Sequence, residues 1–266
     1  MLVMRKSVIL NVDRWSIATR MRASKVPGGP TLPATHLLRC RRKAAVGMKE
    51  LEVRMTRDGT RTLFDPLLSE RYHSVHGAVA ESRHVFLDAG FLAAKEPRVD
   101  VLEIGLGTGL NMLLTWIESE NRCIEVHYDA VEPFPLNTGI LNQLDHCTSL
   151  GVSERSLDFM GMMQGPHNTR SSMRDFHFRM VADGSTLTPS GYHVIYFDAF
   201  APAHQPGMWT VDMFERMRAL LRPGGVLVTY CAKGDVRRAM QRAGFSVERL
   251  PGPPGKKEML RAINPG

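Results

Sequence analysis

Residues 102–109 read Leu-Glu-Ile-Gly-Leu-Gly-Thr-Gly, and this stretch decides the fold. Residues 99–104 form a short apolar run typical of a buried strand, and apolar side chains then recur at helical spacing over residues 108–118. Glycines at a strand-to-helix turn let the backbone approach a ligand that a Cβ atom would exclude, and the helix start presents free N–H groups. The stretch therefore predicts a βα unit that binds a nucleotide, with a purely structural βα loop as the alternative.

The spacing of the glycines separates two classes of nucleotide. A dinucleotide fingerprint reads G-x-G-x-x-G/A, but here the third small position falls on Leu110 and the third glycine comes one residue early. The acid in the stretch would repel a pyrophosphate, whereas it suits a zwitterionic amino-acid group beside a sulfonium. We therefore predict S-adenosylmethionine (SAM) as the cofactor. The predicted contacts in this stretch are Glu103, Gly105, Gly107 and Gly109.

From residue 97 onward, strand-like and helix-like segments alternate along the chain. This alternation predicts an α/β protein with a mostly parallel sheet covered by helices. Two last strand candidates, at residues 246–250 and 258–263, flank a Pro-Gly-Pro-Pro-Gly turn and predict a closing antiparallel hairpin. The other predicted strands are residues 99–104, 124–131, 176–181, 192–197 and 225–231, and the predicted helices are residues 108–118, 210–221 and 235–243.

Three more acids follow predicted strands, where the carboxyl ends of a parallel sheet place ligand contacts. Glu132 is positioned to accept hydrogen bonds from ribose hydroxyls, and Asp183, followed by Gly184, to accept one from an adenine amine. Asp198 ends an apolar run, where a desolvated carboxylate needs a partner, so we expect it to face a ligand. For each acid, a helix cap or a loop position is the alternative.

Basic residues are unevenly distributed. The net charge of +7 arises from residues 1–47, where ten Lys or Arg side chains accompany one acid. This segment lacks a sustained helical or strand period, and Met48 opens a stretch that resembles a natural start. We therefore place the folded domain at residues 48–266. Residues 1–47 are interpreted as a basic, disordered extension or a miscalled start, with a functional basic arm or a targeting peptide as alternatives.

Composition excludes several other classes of protein. No run approaches the roughly 18 apolar residues that a bilayer span needs, so we expect a soluble, cytoplasmic protein without membrane contact. The four cysteines lie far apart without a C-x-x-C pair, which argues against a zinc site or a disulfide framework. His73 and His76 lie near Glu81 but lack further Cys or His spacing, so no metal site is predicted.

Several stretches resemble the MnmC-type tRNA wobble-uridine methyltransferases. The resemblance runs from about residue 53 to 263, and its most specific parts are FDAFAPAHQPGMW at residues 197–209 and GKKEML at residues 255–260. The other similar stretches are YHSVHGAVAESRHVF at 72–86, EIGLGTGLN at 103–111, VEPFPL at 131–136, RPGG at 222–225 and VRRAMQRAGF at 236–245.

This resemblance implies a class I SAM-dependent methyltransferase with a Rossmann-like fold, in which residues 48–96 cover substrate and cofactor. It also implies methyl transfer to the aminomethyl nitrogen of 5-aminomethyl-(2-thio)uridine at the tRNA wobble position. Bifunctional members carry an FAD-dependent oxidase domain that makes the aminomethyl group. The chain looks like a stand-alone form, so a separate enzyme is expected to supply the aminomethyl tRNA.

Asp198 is the candidate catalytic group, because a carboxylate near the attacking amine stabilises its developing positive charge and accepts its proton. The basic C-terminal end is expected to contact tRNA phosphates. Its candidate residues are Lys233, Arg237, Arg238, Arg242, Arg249, Lys256 and Lys257. Two alternatives stay open: a small-amine methyltransferase or polyamine aminopropyltransferase, and a non-catalytic, SAM-sensing RNA-binding module.

Overall fold

A computed structural model describes residues 51–266, so the interpretation of residues 1–47 lies outside the described part. The described chain begins with a small antiparallel sheet in the order β1-β2-β3. Its strands are β1 (Glu52–Met55), β2 (Arg61–Asp65) and β3 (Glu70–Arg71). A short helix, α1 (Ala78–Ser82), continues directly into a π-helical turn at Arg83–Asp88. This N-terminal segment leads into the main sheet.

The main sheet has eight strands. They are β4 (Arg98–Ile104), β5 (Glu125–Val131), β6 (Arg170–Met173), β7 (Phe176–Val181), β8 (Tyr192–Phe197), β9 (Leu221–Thr229), β10 (Ser246–Pro251) and β11 (Glu258–Ile263). Their spatial order is β10-β11-β9-β8-β4-β5-β7-β6. The five central strands are parallel, and β6, β10 and β11 pair antiparallel with their neighbours. The predicted parallel sheet with a closing hairpin is confirmed.

Helices cover both faces of this sheet. They are α2 (Leu110–Arg122), α3 (Thr138–Leu144), α4 (His146–Ser149), α5 (Ser156–Gln164), α6 (Val211–Leu220) and α7 (Gly234–Arg242). Side chains alternate along each strand, so Val99 and Val101 of β4 join a core with α2 and α5, while Leu102 and Ile104 join a second core with α6 and α7. Within residues 51–266, no helix combines the length and apolar character needed to cross a bilayer.

The order of the strands creates a crevice at one edge of the sheet. From β4 the chain proceeds outward through β5 and β7, then returns to place β8 on the other side of β4. Loops that leave β4 and β8 therefore diverge at their carboxyl ends, which is where open α/β sheets bind ligands. The glycine turn lies at this point, directly after β4.

Candidate active site

Gly105 lies where the loops after β4 and β8 meet. Its backbone N–H donates to the Val131 carbonyl at 3.1 Å, and the Asp198 N–H donates to the Ile104 carbonyl at 3.0 Å. A Cβ atom on Gly105 would come within 2.8 Å of the Asp198 carbonyl oxygen, and its φ of 91° lies in the left-handed region. Only glycine fits this junction, which holds the turn against the end of β8.

A cavity of about 450 Å³ opens above this turn. Its floor includes Gly105 and Gly107, and other walls come from the ends of β5 and β8, from Tyr230 after β9, and from the N-terminal segment. Lys256, in the turn between β10 and β11, completes the wall. The volume lies in the range typical of small-molecule sites.

Asn111, in the first turn of α2, connects two carboxylates. Its amide nitrogen donates to Glu103 Oε1 at 2.8 Å and to Asp198 Oδ2 at 2.9 Å. The Tyr128 hydroxyl donates to the other Glu103 oxygen at 2.9 Å. Burial, with a smaller contribution from Asp198, raises the pKa of Glu103 well above its usual range. Glu103 is completely buried, and its link to the cavity is the hydrogen bond that it accepts from Asn111.

Asp198 lines the cavity at the end of β8. Burial and, to a smaller extent, the nearby Glu81 carboxylate raise its pKa to about 7, against the lowering effects of the Asn111 hydrogen bond and Lys256. The group therefore changes protonation near neutral pH. A carboxyl that titrates in this range is suited to accept a proton from a bound ligand.

Glu132 follows β5 and also lines the cavity. Its carboxylate accepts the Gly107 N–H at 3.2 Å and the Phe134 N–H at 2.9 Å, one on each oxygen. Each oxygen keeps a lone pair, so the group can still accept hydroxyl hydrogen bonds. Burial raises the pKa of Glu132.

The predicted cofactor residues divide into two groups. Gly105, Gly107 and Glu132 line the cavity, together with the predicted catalytic Asp198. Four others lie outside the lining: Glu103, Gly109, Asp183 and Gly184.

Each residue of the second group has a structural environment of its own. Glu103 lies behind Asn111, and a Cβ atom on Gly109 would point at Met163 in the core. Asp183 accepts the Ser185 N–H at 2.9 Å and caps a 3₁₀ turn that includes Gly184. Asp183 therefore occupies a cap position, which was the alternative to a cofactor contact for this residue.

The N-terminal segment and the closing hairpin meet over the cavity. Glu81 accepts the Ser74 N–H and the Lys256 ammonium, each at 2.7 Å. Nearby, the ring nitrogen Nε2 of His84 lies 2.8 Å from the Pro251 carbonyl oxygen. These contacts make the two ends of the domain one wall of the cavity.

His73 and His76, the pair considered for a metal, bind different partners. The His73 ring lies 2.8 Å from the Thr62 hydroxyl, and the His76 ring lies 3.2 Å from the Arg57 guanidinium. Burial lowers the pKa of His73 to about 4, which keeps its ring neutral. The two rings thus have separate partners, and His73 also lines the cavity.

Lys256 differs from the other predicted tRNA contacts. Its ammonium pairs with Glu81 and lies 4.2 Å from the centre of the Tyr230 ring, so it belongs to the cavity. Outside the cavity, Arg238 pairs with Asp235, and Arg249 lies 3.6 Å from Glu258. The exposed members of the set are Lys233, Arg238, Arg242, Arg249 and Lys257, and Arg237 is half-buried.

Sequence reasoning gave no specific role to Asn111, Gln205 or Tyr230. Gln205 lines the cavity and accepts the Phe200 N–H at 2.9 Å, and the Tyr230 hydroxyl donates to the Ala199 carbonyl at 2.9 Å. Both therefore hold the loop that follows Asp198. A polar Asn111 between two apolar helix residues was the available signal, because a buried amide requires partners.

The residues around the cavity fit SAM. The buried Thr108 hydroxyl and the Asn111 amide oxygen, just before and within the first turn of α2, have no hydrogen-bond partner among residues 51–266, so polar atoms at the turn remain to be satisfied. The Glu132 carboxylate lies beside the turn with lone pairs to spare. The cavity thus offers a glycine turn whose backbone a cofactor can approach closely, two buried polar atoms that can bind it, and the Glu132 carboxylate at the end of the neighbouring strand.

Comparison with known proteins supports the same class. Residues 175–265 match the family model of the S-adenosyl-L-methionine-dependent methyltransferases. The crystal structure of MNMC2 from Aquifex aeolicus has a similar fold, with a TM-score of 0.62 at 21% identity over 81% of this chain and 71% of that one. The chain thus has the fold of the class I SAM-dependent methyltransferases.

More particularly, the sequence is MnmC-like. It is similar to the tRNA 5-methylaminomethyl-2-thiouridine biosynthesis bifunctional protein MnmC of Cupriavidus metallidurans, with 31% identity over 226 residues, or 78% of this chain and 33% of the relative. The corresponding protein of Cupriavidus necator is 32% identical over 213 residues, or 75% of this chain and 32% of the relative. The chain thus spans about a third of the length of these relatives.

Proposed function

We propose that the chain transfers a methyl group from SAM to the aminomethyl nitrogen of 5-aminomethyl-(2-thio)uridine at the wobble position of tRNA. The observation that carries the proposal is the Asp198 carboxyl, which lines the cavity beside the glycine turn and is held by Asn111. The names of the MnmC relatives supply the substrate class.

In this proposal, Gly105 and Gly107 admit the cofactor to the backbone, and Glu132 accepts hydrogen bonds from its ribose hydroxyls. When bound, SAM supplies an electrophilic methyl group on its sulfonium. Asp183 lies outside the lining, so a contact with the adenine requires a movement of its loop. The turn and Glu132 therefore carry the main part of cofactor binding.

The main contribution of the protein to the reaction is to position the reactants, because a neutral amine attacks the methyl group in line. Asp198 accepts an N–H of the amine, which aims the lone pair and stabilises the positive charge that forms on nitrogen. Its carboxylate then takes the released proton, as a pKa near 7 allows. Asn111 holds Oδ2 of Asp198, so the reactive carboxyl keeps one orientation.

The tRNA is proposed to approach along the basic C-terminal end. Lys233 follows β9 at the cavity edge of the sheet, and α7 runs away from this edge with Arg237, Arg238 and Arg242. Lys257 adjoins Lys256 in the hairpin turn. These cations would contact phosphates and give a salt-dependent affinity. A preceding enzyme would install the aminomethyl group.

The test uses the purified chain, SAM and tRNA that carries 5-aminomethyl-2-thiouridine. We expect the 5-methylaminomethyl nucleoside, detected as a gain of one methyl group by mass spectrometry of the digested tRNA. Spermidine, putrescine and tRNA without the aminomethyl group serve as control substrates. Methylation of the free amines, or their aminopropylation when decarboxylated SAM replaces SAM, with no product from the modified tRNA, would overturn the substrate and favour the small-amine alternative. SAM binding without any turnover would favour the non-catalytic module.

A further inference from the structure

Away from the cavity, two histidines and a glutamate meet on the face of the main sheet. His127 of β5 and His177 of β7 are register partners on neighbouring parallel strands. Glu125 lies two residues before His127, so both side chains project from the same face. The two imidazole centres are 4.6 Å apart.

The donor atoms of these side chains point at one another. His127 Nε2 lies 2.8 Å from Glu125 Oε1, and His177 Nε2 lies 4.0 Å from the same oxygen. One donor atom from each residue lies within 4.8 Å of the other two. Ligands that share a metal at bonds of about 2.1 Å lie about 3 to 4 Å apart, so a small side-chain rotation would close the set. All three side chains are partly exposed and have room for that movement.

We infer that Glu125, His127 and His177 form a binding site for a divalent transition metal such as Zn²⁺, Co²⁺ or Ni²⁺. Two imidazoles and one carboxylate suit these borderline ions, whereas Ca²⁺ and Mg²⁺ prefer a shell of oxygens. The Ser172 hydroxyl oxygen, 2.8 Å from His177 Nδ1, can accept a hydrogen bond from Nδ1–H and so leave Nε2 free as the ligand. The remaining coordination positions would hold water.

The position of the site indicates a structural clip rather than a part of the reaction. His127 lies four residues before Val131, which lines the cavity, so about 13 Å of strand separates the site from the ligand-binding edge. A metal held by β5 and β7 would tie these neighbouring strands together and stabilise the folded state. The inference is therefore independent of the proposed tRNA chemistry.

Arg98 is expected to weaken metal binding, and its removal gives the proposal its sharpest test. Its guanidinium lies 3.2 Å from His127 Nδ1, which keeps the proton of that ring on Nε2, facing Glu125. Metal binding requires this proton to move to Nδ1 and Arg98 to turn toward Asp100, with which it already pairs at 2.9 Å. Removal of Arg98 should therefore strengthen binding. A metal ion bound elsewhere on the surface would not gain affinity from such a change.

The experiment titrates the untagged full chain with ZnCl₂ in a calorimeter and with CoCl₂ in an absorption spectrometer. We expect one Zn²⁺ per chain, and about tenfold or greater loss of affinity in His177→Ala and in Glu125→Gln. Arg98→Met should bind Zn²⁺ several-fold more tightly. His84→Ala, which removes a half-buried histidine from the contact with Pro251 and leaves the three proposed ligands in place, is the control and should bind Zn²⁺ as the wild type does.

Three results would overturn the site. The first is an absence of Zn²⁺ binding in the wild type, and the second is a wild-type affinity that persists in both Glu125→Gln and His177→Ala. The third is a thiolate charge-transfer band in the Co²⁺ spectrum, which would place the ion on a cysteine. If His177→Ala fails to fold, Glu125→Gln and Arg98→Met still decide the matter, since both change partly exposed side chains.

Discussion

Lys256 and Glu81 are 175 positions apart in the chain, yet the ammonium of one lies 2.7 Å from the carboxylate of the other inside the cavity. The pair joins the closing hairpin to the N-terminal segment. Glu81 also raises the pKa of Asp198, and Lys256 lowers it. One ion pair therefore couples closure of the cavity wall to the protonation of the proposed catalytic carboxyl.

The first prediction concerns this lysine. Lys256→Met removes a positive charge that lowers the pKa of Asp198, so the rise of methyl transfer with pH should move to higher pH. Loss of the bond to a charged partner should also lower the free energy of unfolding by about 1–2 kcal/mol, because the lysine is only half-buried. The pH dependence of kcat/KM and urea denaturation measure the two effects.

Lys257→Met is the matched control for Lys256→Met. Lys257 is the exposed neighbour, so its loss should raise KM for tRNA and reduce the salt dependence while the pH midpoint stays in place. Equal pH profiles for the two variants would contradict the link between Lys256 and Asp198.

The sequence predicts the central sheet well because apolar residues form short runs or alternate with polar residues along its strands. β7 and β8 have the predicted bounds, residues 176–181 and 192–197. β9 begins at Leu221 instead of residue 225, because the chain pairs with β8 before the Pro223-Gly224 irregularity as well as after it. The short strands of the N-terminal sheet carry no period long enough to predict them.

The site is predictable only in part, for a different physical reason. Acids after strands are visible in the sequence, but the same position suits a ligand contact, as at Glu132, or a cap, as at Asp183. The Asn111 bridge and the Lys256 pair join residues 87 and 175 positions apart, so no local pattern reveals them. The sequence therefore suggests a surface cation at Lys256, whereas the structure pairs it with Glu81 in the cavity wall.

The second prediction tests the glycine turn. Gly107 has a φ of 52°, and a Cβ atom there would lie 3.3 Å from the Tyr72 ring at the cavity floor. Gly107→Val should therefore fill the cofactor cavity and abolish SAM binding measured by calorimetry. Gly151→Val is the control, since Gly151 has a similar φ of 72° but no atom within 4 Å of a Cβ. Unchanged SAM affinity in Gly107→Val would refute the assignment of the turn.

The third prediction separates two strand-end acids. Glu132→Gln loses the charge that strengthens hydrogen bonds to ribose hydroxyls, so SAM affinity should fall about 10- to 100-fold. Asp183→Asn should change it less than about threefold, since Asp183 lies outside the cavity lining. Calorimetric titration of both variants gives the comparison. A larger loss in Asp183→Asn than in Glu132→Gln would show that the Asp183 loop closes over the cofactor.

The fourth prediction concerns the buried Glu103. Its raised pKa favours the neutral acid in the folded state, and Glu103→Gln resembles that form, so unfolding free energy should change by less than about 1 kcal/mol. Glu103→Ala leaves the Asn111 and Tyr128 donors without an acceptor and creates a void, which should cost about 2–4 kcal/mol. Urea denaturation decides it, and equal losses in both variants would show that the charged form is required.

The last prediction concerns Asp198 and the reaction. Asp198→Asn keeps the size of the side chain but removes the carboxylate that accepts the proton of the amine, so kcat should fall by about 100-fold or more. SAM affinity should largely survive, because the turn and Glu132 provide the main cofactor contacts. In the wild type, Asp198 with a pKa of about 7 is protonated below that value and ionised above it, so activity should rise as pH increases through about 7. This rise should be absent from the residual activity of Asp198→Asn. Asp212→Asn, at an exposed position in the first turn of α6, controls for the loss of one charge and should keep both rate and profile. An Asp198→Asn variant that retains the wild-type kcat and pH profile would remove Asp198 from the chemistry.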